Sequence, residues 1–287
     1  MAWGKAPAPP VVLPPDPVRE LAIAVLGALI SLLVCLIGLV LRGGSSGNKK
    51  ESSPAPKAEA PPPPSTRAST VDPIALQSLL ESRRSVTPKD YTGGAVAEEL
   101  VRSILSAAPW APNHGKTEPW RFVVFGGEHK ELLLGATLDW HLKQPPAFWQ
   151  ANYLLKAGPE FADGAAFAKY YREEAVGKKW GKTSHLVAIC LRRQRPSDKK
   201  RIPEWEELCA CACTVQNMHL KATSLGVGAY WSSWYEVFRT TEECVRFLGL
   251  SPAEGDLCIG VFVIGECIKL DQIRGVRQPL DSVVEWR

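Results

Sequence analysis

Residues 110–125 read WAPNHGKTEPWRFVVF, and the parsing of the whole chain starts here. Pro112, Gly115 and Pro119 bar a regular helix across the first half. The second half, 120–125, is an apolar run that predicts a buried strand. The stretch is therefore a stiff loop feeding a core strand, with Asn113 and His114 held out at its tip.

Outward from that strand, helical periodicity alternates with short apolar runs. Helices are predicted at 73–82, 95–107, 128–142, 160–176, 204–225 and 241–248, and strands at 120–125, 185–191, 227–231 and 257–264. Asp72 followed by Pro73 marks a helix start. Thr240 with Glu243 forms a capping box for the last helix. In the long helix, Leu208, Cys211, Val215, Met218, Ala222 and Leu225 recur at spacings of 3, 4, 3, 4 and 3, bounded by Pro203 and Gly226. The pattern predicts an α+β domain over 72–287, long enough for one core around a single sheet.

Before that domain, residues 1–17 are rich in proline and alanine, and 21–41, LAIAVLGALISLLVCLIGLVL, run 21 residues without a charge. At about 1.5 Å per residue the run matches a bilayer core of about 30 Å. It exceeds the roughly 7–15 apolar residues of a signal peptide. A single transmembrane helix is therefore expected within 18–42. Arg42, Lys49 and Lys50 follow the span, against Lys5 and Arg19 before it, which puts the C-terminal domain on the cytosolic side or facing out from an organelle membrane. Residues 43–71, rich in Gly, Ser, Pro and Ala, form a tether that buries no core.

Through Asp72 there are seven Lys or Arg and five Asp or Glu, so the formal net charge of +4 divides evenly between leader and domain. No basic cluster follows a nucleic-acid backbone, and nucleic acid is not an expected partner. The eight cysteines lack the paired spacing of a secreted scaffold. In CACAC, Cys209 and Cys213 share a helix face while Cys211 points away, so three thiolates do not converge on a metal. They read as small buried apolar residues in a reducing compartment.

Phosphate-loop, HExxH and GxSxG motifs are absent, and LGVGAYW at 225–231 supplies only GxG. Hydrolytic and metal chemistry thus lack their usual residues, and a bound organic cofactor is the economical alternative. ESRRSV at 81–86 offers two guanidinium forks and a hydroxyl, which suit a phosphate monoester. The competing reading is a solvated helix end whose cations offset the macrodipole.

Four blocks in order carry a resemblance: RRS at 83–85, APNHGKTEPWRFVVF at 111–125, IPEWEELCACACTVQNMHLKATSLGVGAYWSSW at 202–234, and GVFVIGE at 260–266. With the tail RQPLDSVVEW at 277–286, the domain resembles the FMN-dependent nitroreductases, in particular the bacterial YdjA-like branch. The resemblance implies a nitroreductase-like fold, a central mixed or antiparallel sheet flanked by helices, in an intertwined homodimer with FMN at the subunit interface. It implies that Arg83, Arg84 and Ser85 bind the phosphate and ribityl chain, with Arg277 a further phosphate cation and Arg274 a poorer choice. Trp110, Asn113 and His114 would reach the same flavin from the other subunit. Trp231, Ser232 and Ser233 would back it. NAD(P)H would reduce the flavin and leave, and a nitroaromatic, quinone or similar electron-poor acceptor would then take the electrons in a ping-pong cycle. No catalytic side chain is required, because flavin N5 carries the chemistry.

The chain departs from that branch at Trp110 and Ser232, where arginine is usual, and in its leader. Residues 137–182, with Trp140, Trp149, Tyr153, Tyr170 and Tyr171, are expected to shape the substrate mouth. An alternative is a membrane-anchored reductive dehalogenase of the iodotyrosine deiodinase type, echoed by Thr117–Trp120 and by Gln278–Asp281; the Asn-His pair fits the YdjA-like branch better. A flavin-binding sensor without turnover is the remaining alternative.

Overall fold

The computed structural model describes residues 71–146, 148, 161–195, 197–198 and 201–287. The proline-rich start, the apolar run and the tether lie outside these residues, as do Trp149 and Tyr153. Among the described residues no helix is long and apolar enough to cross a membrane.

The β-branched runs pair into one sheet: β1 is Trp120–Gly126, β2 His185–Leu191, β3 Gly228–Ser232 and β4 Leu257–Gly265, in the order β1–β2–β4–β3. Every pairing is antiparallel, so the mixed-sheet option falls away. β1 is an edge strand. Only Phe125 in it is buried, so the expectation of a core strand at 120–125 is corrected: one flank of β1 has no strand beside it.

Strand alternation divides the core in two. On one face Leu186, Ala188 and Cys190 of β2 and Val261 and Val263 of β4 pack against Leu133, Leu134 and Leu138 of α3, where α1 is Pro73–Ser82, α2 Glu98–Leu105 and α3 Lys130–Leu142. Phe167 of α4, Gly164–Tyr170, joins this layer. On the other face Val187, Ile189, Ala229, Phe262 and Ile264 meet Val101 and Ile104 of α2 and Val215, Met218 and Ala222 of α5, Glu204–Ser224.

A bulge interrupts the β2–β4 register: Ile189 lies opposite Gly260 and Cys190 opposite Cys258, leaving Ile259 as the extra residue. Cys258 and Val261 thereby share a face despite their odd spacing. Gly260 sits at φ +144°, and a Cβ there would overlap Trp231 Nε1 and the Ser232 carbonyl. Glycine is what lets the β3 indole lie flat on β4.

Several other expectations are adjusted. The helix predicted at 95–107 is the shorter α2, and α4 passes into a π-helix, Tyr171–Lys179, whose wider turn a 3.6-residue period does not anticipate. The last long helix, α7 (Glu242–Phe247, after α6, Glu236–Arg239), is capped by Thr241, whose hydroxyl accepts from the Cys244 amide, rather than by Thr240. Cys211 is buried as expected, but Cys209 on the opposite face is exposed. The apolar residues Ile74, Leu76, Leu79 and Leu80 of α1 predict a buried helical stripe, but Ile74, Leu76 and Leu80 are exposed and no α1 residue is buried.

Candidate functional site

Asp72 caps α1 through the Ile74 amide, and the helix stops at Arg83, which is extended. The chain leaving it is pinned to the sheet by the Val86 amide, which donates to the Ala229 carbonyl of β3 at 2.9 Å. Arg83, Arg84 and Ser85 are therefore presented beside β3. Ser85 is exposed.

The C-terminal segment brings Arg277 to the same place. Gly275 packs so closely on Arg84 that a Cβ there would lie 2.9 Å from Arg84 Nε and 3.4 Å from Arg277 Nη1. A cavity of about 400 Å³ opens between Leu80, Glu81, Arg84, Gly275 and Arg277. Arg84 Nη1 donates to the Glu81 and Arg83 carbonyls, while its Nε is buried with no partner. Burial, with the charges of Arg277 and Arg84, pulls the Arg83 guanidinium below its ordinary value. Among the described residues none of these three arginines pairs with a carboxylate, whereas Arg193, Arg195 and Arg239 each do. Like charges held together at that cost call for an anion. Arg274 turns instead to the Asp271 carbonyl.

One buried residue that no motif singles out joins these parts. His219 of α5 contacts the Arg84 and Ala229 carbonyls through Nε2, each at 2.9 Å, and meets Arg83 Nη1 through Nδ1 at 3.4 Å. A signal for it exists in the sequence: His219 lies four residues after Val215 and three before Ala222, on the buried stripe.

At the end of β3, Trp231 is 40% exposed on its glycine seat. Ser232 Oγ accepts from the Trp234 amide at 3.0 Å, closing a turn in which Trp234 takes φ +56°. Arg239 holds that turn, donating to the Ser233 and Cys258 carbonyls. Trp231, Ser232 and Ser233 thus form a braced rim at the end of β3, the strand whose Ala229 pins the arginine segment.

The loop at 110–114 lies elsewhere. Trp110 is 86% exposed. Asn113 Oδ1 accepts from the Glu118 amide at 3.2 Å, and His114 Nδ1 donates to Glu206 Oε2 at 2.5 Å. Gly115, Lys116 and Glu118 all have positive φ, which gives the loop its rigid shape. Glu206 and His219 are on the same helix, 13 residues apart, or about 20 Å along its axis. Within one chain the structure therefore brings Arg83, Arg84, Ser85 and Arg277 together beside β3 and holds His114 near the other end of α5, while Trp110 follows Ala107, whose carbonyl accepts from Asn217 two residues before His219. Tyr170 and Tyr171 line a separate aromatic cavity of about 200 Å³ with Phe167, Glu174, Lys179 and Tyr235.

The sequence model of the nitroreductase family matches residues 80–266, more than half of the chain. The chain belongs to the nitroreductase family. It is 24% identical over 184 residues to the nitrobenzene nitroreductase of Ectopseudomonas oleovorans, covering 58% of this chain and 78% of that protein. It is 24% identical over 187 residues to the protein named YdjA in Escherichia coli strain K12, covering 65% and 85%. Its fold is that of a nitroreductase-like family protein from Bacillus cereus (TM-score 0.55, 24% identity, covering 76% of this chain and 97% of that one). The FMN-dependent nitroreductase NfnB of Mycobacterium smegmatis, solved in complex with NADPH, shares it as well (TM-score 0.51, 16% identity, covering 75% and 98%). The α+β expectation is met.

Proposed function

We propose that this nitroreductase is an FMN-dependent NAD(P)H oxidoreductase that reduces nitroaromatics, quinones or related electron-poor acceptors, working as a homodimer. The observation that carries it is the trio of guanidiniums without a carboxylate partner, Arg83, Arg84 and Arg277, beside the Trp231 strand. The orphaned Arg84 Nε and the neighbouring cavity fit a phosphate monoester, which accepts several charge-assisted hydrogen bonds. The names of the relatives support the acceptor class.

Bound FMN would supply the hydride and electron-transfer chemistry between a nicotinamide and the acceptor. The chain's own residues bind and orient. Arg83, Arg84 and Arg277 hold the phosphate, with Ser85 beside them. Trp231 gives an apolar wall, and Ser232 and Ser233 border it. Trp110, Asn113 and His114 serve a flavin seated on a second copy; His114 is held on Glu206, about 20 Å along α5 from His219. Apolar residues left uncovered on α1 and in the tail, including Ile74, Leu80, Val276 and Trp286, support such a dimer. The run at 21–41 would tether the dimer to a membrane, on the strength of its uncharged length alone.

The test is spectroscopic. The purified full chain should be yellow, bleach anaerobically with NADH or NADPH, and recolour with a nitro compound or quinone. The Arg83→Ala, Arg84→Ala double variant should retain less than about a tenth of the flavin, because two charged hydrogen-bond donors to the phosphate are removed. Undiminished flavin in that variant removes the phosphate assignment.

A further inference from the structure

We propose that His219 is the positioning residue of the phosphate site: its neutral imidazole locks Arg83 and the Arg84 backbone onto the strand that carries Trp231. The inference rests on the FMN reading and deepens it by naming what holds the arginines in place.

The hydrogen-bond pattern fixes the tautomer. Both carbonyls on Nε2 can only accept, so Nε2 carries the proton and shares it between Arg84 and Ala229. Nδ1 then carries a lone pair, and among the described residues the charged group facing it is Arg83 Nη1. A guanidinium has no acceptor of its own, so an imidazole lone pair steers it without neutralising it. The positive charge stays available to an anion. A carboxylate at this position would steer Arg83 equally well but would cancel the charge the site needs.

The surroundings keep the ring neutral. The loop after α1 contributes Arg83, with Arg84 and Arg277 acting on it from behind; β3 contributes a carbonyl; β4 contributes the edge-on ring of Phe262 at 5.5 Å. No carboxylate acts on it among the described residues. Burial and Arg83 push the imidazole below its ordinary value, and the two carbonyls pull the other way. Protonation would remove the lone pair, add a fourth cation and release Arg83.

The experiment uses the full chain stripped of flavin, titrated with FMN and with riboflavin, which lacks the phosphate. His219→Leu should weaken FMN by about tenfold or more while riboflavin moves less than about twofold, because only the phosphate increment depends on Arg83. His219→Gln, whose amide can replace the Nε2 donor, should recover most of the loss. As pH falls below the ordinary imidazole value of 6.5, FMN binding should fall more steeply in the unaltered chain than in the glutamine variant. The phosphate's own titration near 6 is common to both, so the difference reports the imidazole. Unchanged FMN affinity in the leucine variant, parallel losses for FMN and riboflavin, or superimposable pH profiles overturn the proposal. If the leucine variant does not fold, the glutamine comparison decides alone. A wild-type chain that binds neither flavin overturns the cofactor assignment itself, an outcome distinct from these.

Discussion

At the level of single residues, Gly260 and the buried histidines carry the most exposed consequences. Gly260→Ala places a methyl against the Trp231 indole and the Ser232 carbonyl in a backbone region L-residues rarely adopt. It should cost about 1–3 kcal/mol in urea unfolding, with Trp231 displaced and its fluorescence altered. The glycine was legible in GVFVIGE as a strand residue but not as a bulge, because a bulge depends on the partner strand's register. The histidines set an acid limit. His141 and His219 are buried and held below the ordinary value of 6.5, chiefly by burial. Unfolding lets each take up a proton, so the unfolded chain binds more protons once pH falls below about 6.5. Stability should therefore drop from there downward, by at most about 1.4 kcal/mol per pH unit for each histidine, as measured by denaturant midpoints across pH.

Among the elements, α1 is the one whose amphipathic pattern was readable while its partner was not. Leu76, Leu79 and Leu80 announce a buried stripe, yet among the described residues Leu76 and Leu80 stay exposed and Leu79 is only half-buried. Ile74→Ser with Leu80→Ser should leave the unfolding of the isolated fold nearly unchanged but shift the dimer to monomer, seen by sedimentation velocity. Regular periods explain what else was visible. All four strands and the 21-residue α5 fall within a residue or two of their expected bounds, because apolar spacings of 2 and 3.6 survive in sequence. The π-helix and the edge position of β1 were not, since one depends on an extra backbone residue and the other on strands distant in sequence; the Thr241 cap was missed by one position because Thr240 offers the same hydroxyl beside it. The candidate site was legible in its arginines and its loop, through resemblance. His219, Arg239 and Gly275 were missed because they act through backbone carbonyls and close packing, which no motif records.

For the molecule as a whole, α5 links the parts of the proposed cofactor site: His114 rests on Glu206 near its start, and His219 near its end contacts Arg83. In a symmetric pair, each cofactor would then draw on both subunits. A chain altered at Arg83 and Arg84 should therefore be colourless, and so should one altered at Trp110 and His114. Co-refolded in equal amounts, the two defective preparations should regain about a quarter of the normal flavin complement, since half the pairs are hybrids and each hybrid reunites one sound half from either parent. Genetic complementation between two inactive alleles of a single gene would follow from such a shared site.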